Sequence, residues 1–96
     1  MLHLIFQSPI DIAVLDRMAS GDVAVFLESA VLGLLQKSTY ADVLSHKLNT
    51  NRLCVLSEDM VVRGIAQSEL VSGLEIIDYA GFVSLTVENP LITSWC

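Results

Sequence analysis

Residues 22–27 read Asp22-Val23-Ala24-Val25-Phe26-Leu27, and no polar residue interrupts the run after the aspartate. A strand with one solvent-facing side alternates apolar and polar residues, whereas a strand covered on both faces of a parallel sheet does not. This stretch therefore predicts a central strand with helices on both sides. Similar runs predict three more strands at residues 2–6, 53–56 and 74–77, and residues 91–95 predict a fifth strand at an edge.

The segments between these runs have the pattern of helices. Ser8-Pro9 predicts the start of a first helix, because serine caps and proline suits the first helical position, and Ser20-Gly21 predicts its end. Strands that alternate with helices imply parallel pairing and right-handed crossovers. We predict an α/β fold, a single three-layer domain over residues 1–96 with a mostly parallel sheet of about five strands and helices on both faces. The other predicted helices are 29–37, 40–48, 60–63 and 79 to just before Pro90, with a loop at 68–73.

The composition is unusually apolar for so small a chain. Hydrophobic residues make up 53% and charged residues 17% of the 96 positions, against about 45–50% and about 25% in typical soluble domains. A small domain buries a smaller fraction of its surface than a large one. We therefore expect apolar surface that a partner covers, the alternative being a monomer with a very well-filled core.

Charge and segment length exclude several classes of function. Five Lys+Arg against eleven Asp+Glu give a net charge of −6 without any basic cluster, so direct binding to nucleic acid is not expected. The longest apolar window, 23–35, is interrupted by Glu28 and Ser29 and is shorter than the roughly 20 residues that span a membrane. No signal peptide is predicted, and the cysteine usage favours a reducing, cytoplasmic location.

Polar residues follow four of the predicted strands, at the edge where open parallel sheets bind ligands. They lie at 7–8, 28–29, 57–59 and 78–79, and each has a simpler role as a helix cap. No glycine-rich phosphate loop is present, and Pro9 lacks a backbone N–H that such a loop uses. His3 and His46 lack further ligands at a metal-binding spacing. We therefore predict neither a cofactor nor a metal.

Two cysteines are the weak candidates for chemistry. Cys54 lies in the middle of an apolar strand, where burial raises the pKa of a thiol and suppresses its reactivity. Cys96 is the last residue of the sequence, and no neighbour would activate it. We expect neither to be catalytic.

Four residues are candidates for an interface. Asp59 and Arg63 form an i,i+4 pair, which is either an ordinary surface ion pair or a way of presenting Arg63 to a partner. Tyr79, Phe82 and Trp95 are the main aromatic residues near the C-terminus, and aromatic residues with few charges nearby are typical of interface centres as well as of cores.

Several short motifs occur in a recognisable order along the chain: Met1-Leu2-His3 with Ser8-Pro9, Leu56 with Asp59, Arg63 and Gly64, the segment Ile77-Asp78-Tyr79-Ala80-Gly81-Phe82-Val83-x-Leu85-Thr86, and Trp95. With these residues the chain resembles the DsrH/TusB family, and the resemblance covers essentially all 96 residues. It implies a DsrE-like α/β domain that assembles with two related subunits, TusC- and TusD-like or DsrF- and DsrE-like, into a heterohexamer.

The resemblance also implies a role in sulfur relay. In that relay, persulfide sulfur arrives through a TusA-like carrier and leaves on a TusE-like carrier for 2-thiouridine formation at the tRNA wobble position. In sulfur oxidisers the related complex passes sulfur to DsrC. DsrH proteins of sulfur oxidisers carry a cysteine in the first helix, whereas residues 15–19 here contain none. Relatives often place glycine after an acidic residue behind the second strand, where this chain has Glu28-Ser29-Ala30.

Three hypotheses follow. The first is a non-catalytic structural subunit of a sulfur-relay complex that supports tRNA thiolation, so that the chain is part of a sulfurtransferase without being catalytic alone. The second is a persulfide-carrying subunit of a DsrEFH-type complex that uses Cys54 or Cys96. The third is a stand-alone homo-oligomer that binds a small ligand at the strand ends.

Overall fold

The computed structural model describes residues 1–6 and 12–95. Within them, five strands form one sheet in which every neighbouring pair is parallel, in the order β4-β3-β2-β1-β5. The chain adds β2, β3 and β4 outward from β1 and then returns to place β5 on the other side of β1. The predicted α/β architecture is confirmed. The strands are β1 (Leu2–Ile5), β2 (Val23–Phe26), β3 (Arg52–Leu56), β4 (Glu75–Ile77) and β5 (Ile92–Trp95).

Four α-helices and two 3₁₀ helices connect the described strands, and most lie close to the predicted positions. They are α1 (Ile12–Arg17), α2 (Ala41–Lys47), α3 (Ser57–Val62), α4 (Tyr79–Glu88) and the 3₁₀ helices Glu28–Leu34 and Gln67–Glu69. The predicted helix start at Ser8-Pro9 lies outside the described residues.

The segment predicted as a helix over 29–37 is different. It is a 3₁₀ helix that ends at Leu34, and Leu35 is extended and forms an antiparallel bridge with Leu70. The Gln36 amide donates to the Glu69 carbonyl oxygen at 2.8 Å. These bonds to a distant segment replace the helical bonds that a further turn would form, so tertiary pairing overrides the local preference.

Two helix ends were also misplaced. The first helix ends at Arg17 rather than at Ser20, and Gly21 instead makes a turn with φ of +90°. Helix α3 begins at Ser57 rather than at Met60. It ends at Val62, one residue before the predicted end, and Gly64 follows with φ of +66°.

The two faces of the sheet carry separate cores. The crowded face, defined by Ile5, Ala24, Phe26, Leu53 and Val55, packs against side chains from α1, the first 3₁₀ helix, α2 and α3. The opposite face, which we call the α4 face, bears Leu2, Val23, Val25, Cys54 and Leu56, and α4 is the only described helix whose side chains pack on it. Helices thus lie on both faces, but their number differs.

Candidate functional site

The carboxyl edge of the sheet collects acidic side chains from three neighbouring strands. Glu28 follows β2, Glu58 and Asp59 follow β3, and Asp78 follows β4. The corresponding edge of β1 and β5 runs into residues 7–11 and 96, so the predicted polar pair Gln7-Ser8 lies outside the described residues.

These carboxylates tie the connecting segments together. Asp59 Oδ2 accepts from the Glu28 amide at 2.8 Å, and Glu58 Oε2 accepts from the Tyr79 amide at 3.1 Å. Asp78 Oδ1 caps its own helix by accepting from the Gly81 amide at 2.8 Å. The cap role predicted for this edge is therefore confirmed for Asp78, whereas Glu58 and Asp59 bridge to other elements.

Glu28 adopts an unusual backbone conformation at this edge. Its φ is +53°, and it is the only non-glycine with positive φ among the described residues. Such a conformation costs on the order of 1–3 kcal/mol unless the surroundings hold it. The bond from its amide to Asp59 supplies that hold.

Cys54 lies in the α4 face of β3 with no exposed surface. Its Sγ lies 3.6 Å from Glu75 Oε2 and donates to it. Burial and then the neighbouring carboxylate raise the pKa of the thiol to about 12. Because the thiolate is the nucleophile and the sulfur carrier, this thiol is protonated and unreactive at neutral pH. Cys96 lies outside the described residues.

The carboxylate beside Cys54 is held by an arginine. Arg52 contacts Glu75 through two bonds, Nη2 to Oε2 at 2.8 Å and Nε to Oε1 at 3.2 Å. This pairing lowers the pKa of Glu75 and raises that of Arg52. A general base for the thiol would need to accept its proton, which a carboxylate held in its charged form does poorly. The arrangement of Arg52, Glu75 and Cys54 therefore favours a structural role for these three residues.

His3 belongs to a hydrogen-bonded network that the sequence did not predict. His3 Nε2 lies 2.9 Å from Asp22 Oδ2, and Trp95 Nε1 donates to His3 Nδ1 at 3.1 Å. An indole N–H only donates, so Nδ1 must accept and the imidazole proton is on Nε2, facing Asp22. The bond from His3 is the main reason why the pKa of Asp22 is lowered. With both ring nitrogens occupied, His3 fastens β5 to β1.

The four predicted interface residues do not form one cluster. Tyr79 and Phe82 lie together on α4 with ring centroids 6.1 Å apart. Trp95 instead packs against the crowded face, with the Arg17 guanidinium 5.9 Å from its ring centroid. Trp95 thus lies on the other side of the sheet from α4, because successive residues of a strand point to opposite faces and Trp95 shares the face of His3. Arg63 lies 3.9 Å from Asp59, as an i,i+4 pair.

Sequence reasoning missed two exposed valines on α4. Val83 and Val87 follow Tyr79 at intervals of four residues, and all three side chains are exposed. The interval itself was a usable signal, since residues four apart lie on one side of a helix. It did not tell which side of α4 faces the sheet.

An open groove of about 550 Å³ lies beside the edge strand β4. Its walls come from β4, the 67–74 segment and Gln36, and none of the lining side chains is charged. It includes none of the carboxyl-edge acids, so its lining has no acidic or basic side chain that could activate the hydroxyls of Ser68 and Ser72. Among the described residues, no three His, Cys, Asp or Glu side chains gather to hold a metal ion, and no described helix is long and apolar enough to cross a membrane.

Comparison with known proteins agrees with the fold and places the chain in a family. A protein of unknown function from Methanobacterium thermoautotrophicum has a similar structure, with a TM-score of 0.80 at 15% identity over 98% of this chain and 96% of that one. TusB of Escherichia coli K12 is 32% identical over 99% of this chain and its own full length. TusB of Erwinia tasmaniensis is 33% identical over the same shares. The family model described as DsrH like protein matches residues 6–91, and the chain therefore belongs to the DsrH/TusB family.

Proposed function

We propose that this chain is a non-catalytic, structural subunit of a cytoplasmic sulfur-relay complex that supports 2-thiouridine formation at the tRNA wobble position. Membership of the DsrH/TusB family supports a sulfur-relay subunit. The TusB naming of the relatives favours the tRNA branch over sulfur oxidation. The absence of a cysteine at residues 15–19 favours the same branch.

The observation that carries the non-catalytic assignment is the state of Cys54. A persulfide carrier needs a thiolate that a partner's sulfur can reach. Cys54 has no exposed surface and a pKa raised to about 12. At neutral pH a thiol with that pKa is ionised in about one molecule in 10⁵. Cys54 would therefore not carry sulfur, which leaves the transfer to other subunits in this proposal.

The proposed partners are TusC- and TusD-like subunits, in a heterohexamer that receives sulfur from a TusA-like carrier and delivers it to a TusE-like carrier. The exposed apolar side chains support an assembly, because monomers rarely display so many close together. Tyr79 and Phe82 remain candidate contacts in this proposal. Arg63 and Trp95 are weaker ones, because both already have partners within the chain.

The test is sulfur transfer by the assembled complex. The chain is co-expressed with its C- and D-type paralogues, the mass is measured by light scattering, and labelled sulfur is followed from the TusA-like to the TusE-like carrier. We expect a discrete complex of six subunits that forms only with both partners. We also expect Cys54→Ala, Cys96→Ser and the double variant to transfer sulfur as fast as the wild type.

Two outcomes would contradict the proposal. Loss of transfer in a cysteine variant that still assembles would show that this chain carries sulfur. If the chain binds neither the C-type nor the D-type partner, it has no structural role in such a complex. Cys54→Ala leaves a small cavity, so its unfolding free energy is measured first and the comparison is made where the variant is folded.

A further inference from the structure

Helix α4 is apolar on the side that faces away from the sheet as well as on the side that faces it. Leu85 is buried and Phe82 half-buried on the sheet side. On the other side Tyr79 is 65% exposed, Val87 is 79% exposed and Val83 is exposed between them. We call these three residues the α4 ridge. A helix that is apolar all round is normally covered all round.

The strand that follows also exposes an apolar residue on this side of the sheet. Ile92 of β5 is exposed, and it pairs in register with Leu2, whose side chain belongs to the α4 face. The exposed apolar side chains described on this side of the sheet are therefore the three of the α4 ridge and Ile92.

The surplus of apolar residues is on the surface because the fold has no further room for it. The accessible surface is 5184 Å², close to the roughly 5,400 Å² expected of a compact monomer of this mass. The molecule is therefore as compact as others of its size, and what differs is the composition of its surface.

The spacing of the ridge fits a helix as its partner. Side chains at i, i+4 and i+8 form a ridge inclined to the helix axis, and such ridges pack into the grooves between the ridges of a second helix. The neighbouring positions Ala80 and Ser84 are small, so a partner's side chains have room beside the ridge.

Charge decides between a second copy and a different chain. Helix α4 has no basic residue, Asp78 and Glu58 lie at its amino end, and Glu88 lies at its carboxyl end. Arg52 lies near Glu88 and is already paired with Glu75. An antiparallel contact between two copies would bring Asp78 of each towards Glu88 of the other, and both molecules carry a net charge of −6. Like charges at a contact oppose association.

We propose that the α4 ridge, together with Ile92, is the surface on which a different subunit lays an amphipathic helix whose apolar ridge is flanked by Lys or Arg. This inference rests on the proposed function and specifies the partner's chemistry and where it binds. The basic residues of the partner meet the acids at the two ends of α4, and its apolar side chains fill the space beside Val83 and Val87.

Val61 provides a matched control for Val87. It is 77% exposed on α3, outside the ridge. The experiment measures by calorimetry the affinity of the full chain for its co-purified C- and D-type partners, with Val87→Lys and Val61→Lys compared. Both side chains point into solvent, so both variants should fold, which circular dichroism checks.

We expect Val87→Lys to weaken binding about tenfold or more, as for a central apolar contact, and Val61→Lys to leave it unchanged. Binding should also weaken as salt is raised, because opposite charges contribute.

Each other outcome is decisive. Binding that survives Val87→Lys, or that Val61→Lys weakens equally, overturns the inference and leaves the proposed function intact. Affinity that does not depend on salt overturns the basic character of the partner. If the wild-type chain dimerises alone and the Val87→Lys variant does not, the ridge binds a second copy of this chain instead of a different subunit. A wild-type chain that fails to bind the C- and D-type subunits overturns the proposed function, and this inference falls with it.

Discussion

Four described helical segments send side chains into the crowded face of the sheet, whereas α4 is the one described helix on the opposite face. The difference is visible within β1, since Ile5 is completely buried on the crowded face and Leu4, on the α4 face, is only half-buried. The crowded face therefore buries more side chains of the chain itself, and the α4 face is where we propose that a partner helix binds. Each prediction below tests one consequence of that division.

The largest expected difference is between two phenylalanines. Phe26→Ala removes a fully buried ring from the crowded face and should cost about 3–5 kcal/mol of unfolding free energy. Phe82→Ala removes a half-buried ring from the α4 face and should cost about 1–2 kcal/mol, because part of the ring is already in water. Urea unfolding of the isolated chain measures both.

The reference for this pair is Phe26→Leu, which keeps most of the buried volume and is expected to fold if Phe26→Ala does not. Equal losses for Phe26→Ala and Phe82→Ala would mean that the two faces contribute equally to the unfolding free energy. The crowded face would then not be the main source of stability.

The crowded face was largely predictable from the sequence, and the reason is physical. Unbroken apolar runs such as residues 23–27 and 53–56 are typical of strands that are covered on both faces, so β2 and β3 were placed within one or two residues. Helix α4 was predicted because Asp78 caps its start and Pro90 follows its end. Each of these signals lies within or next to the element that it predicts, so contacts with distant segments do not change its meaning.

Contacts between distant positions could not be predicted in this way. The bond between Trp95 and His3 joins residues 92 positions apart, and the pairing of Leu35 with Leu70 ends a helix that local preference would extend. The carboxyl-edge acids were recognised as a group, but not the bonds from Asp59 to Glu28 and from Glu58 to Tyr79. Those bonds depend on which connecting segments lie side by side, and spacing along one segment does not contain that information.

A smaller effect is expected at the edge strand of the crowded face. Trp95→Phe keeps a ring but removes the N–H that His3 Nδ1 accepts, and an unpaired buried acceptor costs about 1–3 kcal/mol. We expect the variant to lose that much unfolding free energy and the amides of β5 to exchange faster. Tyr79→Phe is the control, since the Tyr79 side chain is exposed on the α4 face and its change should be within about 0.5 kcal/mol. If Trp95→Phe is as stable as Tyr79→Phe, the network of His3 does not fasten β5.

The smallest effect concerns two carboxylates whose pKa values are lowered, one associated with each face. Asp22, paired with His3, has a side chain 15% exposed, and Glu75, paired with Arg52, has one 45% exposed. A lowered pKa in the folded state means that the unfolded chain binds the proton first as the pH falls, so stability is lost on acidification below the ordinary carboxylate pKa of about 4. The loss should be larger for Asp22, on the order of 1 kcal/mol, because the exposed Glu75 pair is screened by water.

Asp22→Asn should therefore flatten the decline of unfolding free energy between about pH 5 and pH 2 more than Glu75→Gln does. Urea titrations at several pH values measure the two slopes. The opposite ranking would assign the acid sensitivity to the α4 face. The Arg52–Glu75 pair would then contribute more to the stability of the isolated chain than the network around His3.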